Sequence, residues 1–395
     1  MIEKKFYGER LRNARMYRGL TLTELAKRTE ISKQSLSLYE NDNNTPDYMK
    51  VRLLASELNF PYDYFFQKDS YMAKTETTYF RSLASATKKD RTAQRIKLEY
   101  VAKIYEILLE FISFPEINLP SVDFEGYDDV FECESEEAIQ EIENIAAQVR
   151  KYWDVGEEPI KDLQYLLEKN GILVTGFNTN EDKIDAFSQR TIVEGDDIYF
   201  ISVALGNRPE GRIRFDMAHE LGHILLHPWS EDLEAITKDE FKARERQANM
   251  FAGAFLLPKE GFGKDIAAYP TNLNYYQFLK KKWKVSIQAM IYRTHQLGTI
   301  SDNQYQYLMR QVSKNGWRLK EPGDVPYSLS ENIFQGAIDL LVEQNVFTVK
   351  EILELFKRSG VTLYSKDIEE LLHLHPETLK IEEKIVPILQ LRKNR

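Results

Sequence analysis

The chain has 395 residues, 43% of them hydrophobic and 29% charged, which is enough for two or three globular domains of ordinary composition. It lacks an apolar run of about 18 residues, and its charged N-terminus does not resemble a secretion signal, so we expect a cytoplasmic protein without a membrane segment. The single Cys133 excludes an intramolecular disulfide framework and suits a reducing compartment.

The formal net charge of −9 conceals an asymmetry along the chain. Residues 1–106 contain 20 Lys and Arg against 14 Asp and Glu, a net charge of +6, whereas the remainder carries −15. A basic N-terminal third on an acidic chain indicates a local contact with nucleic acid.

Residues 5–66 predict a compact bundle of short helices. Thr21-Leu22-Thr23-Glu24 is a capping box, and Ser32 can cap the helix that follows. The predicted helices are Phe6–Arg18, Leu22–Arg28, Lys33–Tyr39, Tyr48–Leu58 and one that Pro61 opens. Two short helices joined by a tight turn within such a bundle form a helix-turn-helix.

The string GLTLTELAKRTEISKQSLSLYENDNNTPD resembles the XRE/phage-repressor helix-turn-helix family. That resemblance implies binding to a double-stranded DNA operator, with a homodimer spanning two half-sites. The exposed side chains of the second short helix are the predicted DNA contacts: Lys33, Gln34, Ser35, Ser37 and Leu38. The alternative is a solvated polar face on a small bundle.

Between this bundle and the next domain, Gln67–Lys89 is polar and predicts a linker. Thr92–Phe111 is periodic and predicts a helix, either a spacer or a dimerisation helix. Residues 114–149 contain 11 acids and no Lys or Arg. This segment is either a solvated surface or an autoinhibitory segment that binds a basic partner.

The next region predicts helices over Ala138–Lys151 and Glu157–Asn170, followed by three strands. The strands are Ile172–Phe177, Ala186–Val193 and Ile198–Ala204, with a turn at Glu194–Asp197. A peptide could add to the edge of such a sheet as an extra strand, although the sequence does not show which strand is the edge.

Phe215–Pro228 contains the spacing of a zinc site, because His219 and His223 lie four residues apart. On a helix, both imidazoles project from one face and can reach one metal. Glu220 follows the first histidine and can aim at a zinc-bound water, whose pKa is lowered towards about 7. The apolar flanks predict a buried helix, and a metal would supply the partner that buried polar groups need.

A catalytic zinc needs a third protein ligand. His227 lies about 12 Å from His219 along a helix axis and is too far to share the ion, so we expect it either to support the site or to be a packing residue. The best candidate is Glu245 on a second helix within Asp239–Pro258, where it shares an apolar stripe with Ala248 and Asn249.

The strings HELGHILLHP and ERQANMFAGAFLLP together resemble the ImmA/IrrE group of zinc metallopeptidases. The resemblance covers roughly residues 140–260, including IDAFS with Asp185, which otherwise caps a turn. It implies that His219, His223 and Glu245 bind Zn²⁺, that Glu220 is the catalytic carboxylate, and that the protein cuts a repressor.

A peptidase also needs donors for its oxyanion. Tyr292, Arg293 and His295 on the helix after Ser286 are the polar candidates, with His227 and Asn249 as supporting residues. The last stretch predicts accessory amphipathic helices over Asn332–Gln344, Val349–Ser359 and Ser365–Leu374.

The predicted fold class is α+β, mostly helical, with a helix-turn-helix bundle, a zincin-like domain with a small sheet, and a helical C-terminal region. The predicted domains are 1–68 (DNA-binding), 69–134 (linker, long helix and acidic loop), 135–325 (zinc metallopeptidase) and 326–395 (C-terminal module).

Two functional hypotheses follow. The first is a DNA-binding regulator with a zinc endopeptidase, active or latent, that hydrolyses a regulatory protein such as a repressor or toxin. The alternative is a repressor or antitoxin of a toxin–antitoxin or phage-type system whose peptidase-like domain is a sensor or partner-binding scaffold.

Overall fold

The computed structural model describes residues 5–68, 75–80, 88–177, 186–193, 195–206, 208–229, 236–327 and 332–381. These residues form a mostly helical α+β protein with one four-stranded sheet, which confirms the predicted fold class. The helices are α1 Gly8–Tyr17, α2 Leu22–Thr29, α3 Lys33–Glu40, α4 Tyr48–Leu58, α5 Lys88–Leu109, α6 Val130–Cys133, α7 Glu136–Tyr152, α8 Leu163–Lys169, α9 Glu210–Leu226, α10 Lys238–Leu256, α11 Lys259–Ile266, α12 Leu273–Trp283, α13 Ile287–Gln296, α14 Asp302–Lys314, α15 Ile333–Glu343, α16 Val349–Arg358 and α17 Ser365–Leu372. The strands are β1 Thr75–Phe80, β2 Ile172–Phe177, β3 Ala186–Val193 and β4 Asp196–Ala204.

Helices α1–α4 and a 3₁₀ turn at Tyr62–Phe66 form the predicted N-terminal bundle. The capping box at the start of α2 is present: the Thr21 side chain accepts from the Glu24 N–H, and the Glu24 carboxylate accepts from the Thr21 N–H at 2.6 Å. A bidentate ion pair between Arg15 and the buried Glu40 ties α1 to the end of α3, with N–O distances of 2.6 and 2.8 Å. The Arg15–Glu40 ion pair holds the end of α3 against α1.

The sheet has the order β1-β3-β4-β2. Strands β3 and β4 pair antiparallel as a hairpin, and β2 lies parallel to β4. The predicted strands Ile172–Phe177 and Ala186–Val193 are confirmed, whereas the third begins at Asp196, earlier than expected. Glu194 of the predicted turn and Asp185 lie outside the described residues.

The segment predicted as a linker contains a fourth strand, β1, which pairs antiparallel with β3. The polar composition of this segment does not indicate a strand. Its partner strand lies more than 100 residues away in the chain, so a local sequence pattern cannot predict the pairing. The helix predicted to start at Glu157 starts at Leu163 instead. Pro159 disfavours helical backbone before it, and Asp162 caps the helix by accepting from the Tyr165 N–H at 3.0 Å.

The sheet separates two hydrophobic cores, because successive side chains of a strand point to opposite faces. Leu173, Phe187 and Phe200 pack on one face with α5, the N-terminal bundle and α15–α17. Val174, Ala186 and Ile201 pack on the other face with α7 to α10. The C-terminal helices therefore complete the core of the N-terminal bundle.

Polar contacts join the C-terminal helices to that bundle as well. Asp367 on α17 pairs with Arg18 at 2.8 Å and accepts from the Asn59 amide at 3.2 Å. Lys357 on α16 pairs with Asp63 at 3.0 Å. Throughout the described ranges, the helices are too short or too polar to cross a membrane.

Candidate metal centre

Helix α9 carries His219, Glu220 and His223, all buried. It lies directly on α10, and Gly222 permits this approach. A Cβ added at Gly222 would lie 3.2 Å from the Ala248 Cα, closer than ordinary van der Waals contact. A glycine between the two histidines therefore brings α10, and with it Glu245, to the imidazoles.

Three ligand atoms converge where α9 and α10 meet. The Nε2 atoms of His219 and His223 are 3.0 Å apart, and the Glu245 carboxylate oxygens lie 3.5 Å from the first and 3.2 Å from the second. Ligand atoms of a tetrahedral zinc with bonds of 2.0–2.1 Å are roughly 3.3 Å from one another. Within the described part of the chain, this is the one cluster of His, Cys, Asp and Glu with such spacing.

A chain of hydrogen bonds determines which ring nitrogens of His223 and His227 carry a proton. The Gln247 amide nitrogen donates to the Tyr127 carbonyl at 2.5 Å, so the Gln247 Oε1 faces His227 Nε2 at 3.1 Å and accepts from it. Burial holds the pKa of His227 well below its ordinary value, with a smaller contribution from His223. His227 is therefore neutral, and its Nδ1 accepts from His223 Nδ1 at 2.9 Å.

His219 is oriented in the same way by α10. Its Nδ1 lies 3.1 Å from the Asn249 Oδ1, which can only accept. Both histidines thus direct the Nε2 lone pair at each other and at Glu245.

This arrangement brings three electron-pair donors together in a buried space, where they repel one another unless a cation lies between them. Two neutral imidazoles and one carboxylate are the donor set that zinc prefers. The residues present therefore fit a Zn²⁺ ion, and no change of side-chain chemistry is needed to hold it.

Glu220 stands apart from the three ligand atoms. It is fully buried, and its Oε2 accepts from the Ser188 hydroxyl at 2.7 Å. Ser188 lies on β3, so the sheet fixes the carboxylate beside the metal centre. The sequence analysis did not identify Ser188 or Gln247 as part of the site. The signal that could have identified each of them is a polar residue on an otherwise apolar, buried face.

The remaining candidates on α13 have other partners. Arg293 pairs with Glu143 and donates to the Leu257 carbonyl at 2.9 Å, which indicates a packing role. His295 pairs with Asp302 at 2.7 Å. The Tyr292 ring lies 5.6 Å from the Arg246 guanidinium, and burial raises its pKa.

The acidic segment packs behind the metal centre. Glu134 pairs with Arg246 of α10 at 2.8 Å, and Tyr127 holds Gln247 as described above. Cys133 is buried and its sulfur accepts from Gln247 at 3.2 Å, while burial raises the pKa of the thiol. At these positions the segment supports α10.

On the N-terminal bundle, the predicted DNA contacts share the outer side of α3. Lys33, Gln34 and Leu38 are exposed, and Ser35 and Ser37 are half-buried. Ser32 caps the helix by accepting from the Ser35 N–H at 3.0 Å, and the two hydroxyls are 2.9 Å apart. The described C-terminal helices do not cover the three exposed side chains.

Comparison with known proteins supports both resemblances. Residues 8–70 match a family described as helix-turn-helix domain, and residues 167–295 match one described as IrrE N-terminal-like domain. The HTH-type transcriptional regulator ImmR of Bacillus subtilis (strain 168) is 37% identical over 70 residues. That match covers 18% of this chain and 55% of ImmR, so the chain spans about half the length of this relative.

Proposed function

We propose that this chain, which joins an XRE-type helix-turn-helix domain to an IrrE/ImmA-like peptidase domain, is a DNA-binding regulator with a zinc-dependent endopeptidase centre. Its substrate is a regulatory protein, such as a repressor or a toxin. One observation carries the proposal: His219, His223 and Glu245 converge, while Glu220 is held separately by Ser188.

Each of these residues has a distinct task. His219, His223 and Glu245 would hold Zn²⁺, which supplies a Lewis acid that polarises a carbonyl and acidifies water. Glu220 accepts a proton from the attacking water and passes it to the leaving amine. Ser188 positions Glu220, because a hydroxyl that donates to one carboxylate oxygen restricts the rotation of the group.

DNA recognition rests on α3. We propose that Lys33, Gln34, Ser35, Ser37 and Leu38 enter the major groove, where Gln can pair with adenine and Lys can reach guanine or phosphate. A homodimer would place two copies of α3 on neighbouring half-sites. Binding to the chromosome would place the protein in the cytoplasm.

The variant Glu220→Gln tests the enzymatic part. Zinc content should be unchanged, whereas the new N-termini that the zinc-loaded protein generates in a cell extract should disappear. The matched control is Glu260→Gln, an exposed glutamate on α11. Equal proteolysis by wild type and Glu220→Gln would refute the role assigned to Glu220.

A second function, a repressor or antitoxin whose peptidase-like domain is a scaffold, is favoured by one observation. The N-terminal bundle, one sheet face and the C-terminal helices share a hydrophobic core. Promoter repression that persists in Glu220→Gln, with no proteolysis by the wild type, would select this second function.

A further inference from the structure

Strand β1 lies in the chain between the helix-turn-helix domain and the peptidase domain, and it pairs antiparallel with β3. The register places Thr78 opposite Gln189, Tyr79 opposite Ser188 and Phe80 opposite Phe187. The connection between the two domains therefore includes a strand of the peptidase sheet.

This pairing brings the connection next to the metal centre. The Ser188 hydroxyl donates to Glu220 at 2.7 Å. Residues directly opposite in an antiparallel pair have Cα atoms about 4.5–5.5 Å apart. The backbone at Tyr79 thus passes one strand spacing from the residue that holds the catalytic carboxylate.

No other edge of the described sheet offers this proximity. In the order β1-β3-β4-β2, removing β1 would make β3 the edge strand. A peptide added outside β2 would lie three strand spacings from β3, about 14 Å away. An extended substrate that reaches Glu220 by strand addition must therefore pair with β3, where β1 already lies.

We propose that the segment Thr75–Phe80 occupies the peptide-binding edge of the peptidase centre and inhibits it in cis. The substrate is then an extended peptide segment that adds antiparallel to β3 in the place of β1. The peptide-cutting part of this inference rests on the proposed function, whereas the occupation of the edge does not.

Competition with an attached strand explains how such inhibition works. A tethered segment has an effective concentration in the millimolar range, so a free peptide of equal intrinsic affinity must exceed that concentration to displace it. The ladder is nevertheless short, with five paired residues, one of them at a register shift. Because each ladder hydrogen bond contributes little net free energy, a movement of the helix-turn-helix domain can release β1 and expose the edge.

The test measures peptide binding in the zinc-loaded full-length Glu220→Gln background, where no turnover interferes. The probe is a fluorescent, capped peptide with the sequence of residues 75–80, Thr-Glu-Thr-Thr-Tyr-Phe. Thr77→Pro and Thr78→Pro are compared, because neighbouring residues alternate between N–H groups that point to β3 and away from it. The control variants Thr77→Val and Thr78→Val keep the N–H and suit a strand.

The proline variant that removes a ladder bond should bind the peptide about tenfold more tightly than its parent. The other proline variant should gain less, and both valine variants should bind like the parent. Hydrogen exchange at those amides of residues 187–191 that point to β1 should rise in the proline variants and fall again when the peptide is added.

Tight peptide binding by the parent, or no gain in either proline variant, overturns the occupation of the edge. In the Glu220-containing proteins, the proline variants should hydrolyse the peptide faster than the wild type. A proline variant that binds the peptide but never cuts it removes the peptidase function and leaves the occupation standing. A cut within residues 75–80 of the zinc-loaded wild type overturns the inhibition, because the segment would then be a substrate.

Discussion

His227 Nδ1 lies 2.9 Å from His223 Nδ1, the imidazole nitrogen opposite the one that faces Glu245. Histidines that bind a metal are commonly oriented by a hydrogen bond to the second nitrogen, and loss of that partner lowers metal affinity about 10–100-fold. We therefore predict that His227 supports the site through His223 without being a ligand.

We therefore expect His227→Ala to weaken zinc binding about 10–100-fold, measured by competition with a chromophoric chelator. Asn249→Ala should act similarly through His219. The control is His295→Ala, which removes a histidine whose partner is Asp302. Unchanged zinc affinity in His227→Ala would show that this hydrogen bond does not orient His223.

The sequence predicted that His227 is not a ligand, but it did not show where His227 lies. Had α9 continued, His227 would project from the next turn, whereas the helix ends at Leu226 and His227 is extended, with φ −118° and ψ 141°. Pro228 indicates that the helix ends nearby, but the contact with Gln247 arises only when α9 packs on α10.

The cluster of His219, His223 and Glu245 could be predicted because helical periodicity links sequence spacing to a common face. Contacts between distant segments have no such signature. The contact between Ser188 and Glu220 joins residues that are 32 positions apart in the chain. The pairing of β1 with β3 joins residues that are more than 100 positions apart. Polar residues in β1 therefore predicted a linker, although threonine and tyrosine also suit a strand.

Glu245 should be essential for metal binding. Its carboxylate is the sole acidic member of the three-residue cluster, so Glu245→Ala should lower zinc affinity by more than the about 100-fold expected for a supporting residue. Zinc content by mass spectrometry of the native protein measures this. Glu240→Ala on the same helix, which loses an ion pair with Arg244, is the control. Full zinc occupancy in Glu245→Ala would assign the third ligand elsewhere.

The two exposed polar residues of α3 should affect DNA binding differently. Gln34→Ala should cost about 1–3 kcal/mol at the operator and relax base preference, because it removes a base-edge contact. Lys33→Ala should weaken binding to all sequences and reduce the dependence of affinity on salt by about one phosphate contact. Titrations by fluorescence anisotropy at several salt concentrations distinguish them. Lys366→Ala on α17 is the control, and wild-type affinity in both α3 variants would refute the assignment of the recognition helix.

Glu168 should make the docking of the C-terminal helices sensitive to pH. It is buried on α8, where it accepts from the backbone N–H groups of Val174 in β2 and Ile333 at the start of α15. Burial raises its pKa to about 8, partly offset by these hydrogen bonds and by Gln164. In the unfolded chain the carboxyl loses its proton near pH 4.5, whereas in the folded protein it keeps it to about 8.

The folded state therefore binds the additional proton between these values, and stability must fall as pH rises through this window, by at most about 1.4 kcal/mol per pH unit. We expect the midpoint of urea unfolding, followed by hydrogen exchange of α15, to decrease from pH 5 to pH 8 in the wild type. The side chain in Glu168→Gln cannot ionise, so the stability of this variant should lack this pH dependence. The difference in stability between the variant and the wild type, in favour of the variant, should therefore grow with pH. The control is Glu110→Gln at an exposed position. A constant difference between wild type and Glu168→Gln across the window would mean that Glu168 ionises in the folded protein as it does in the unfolded chain.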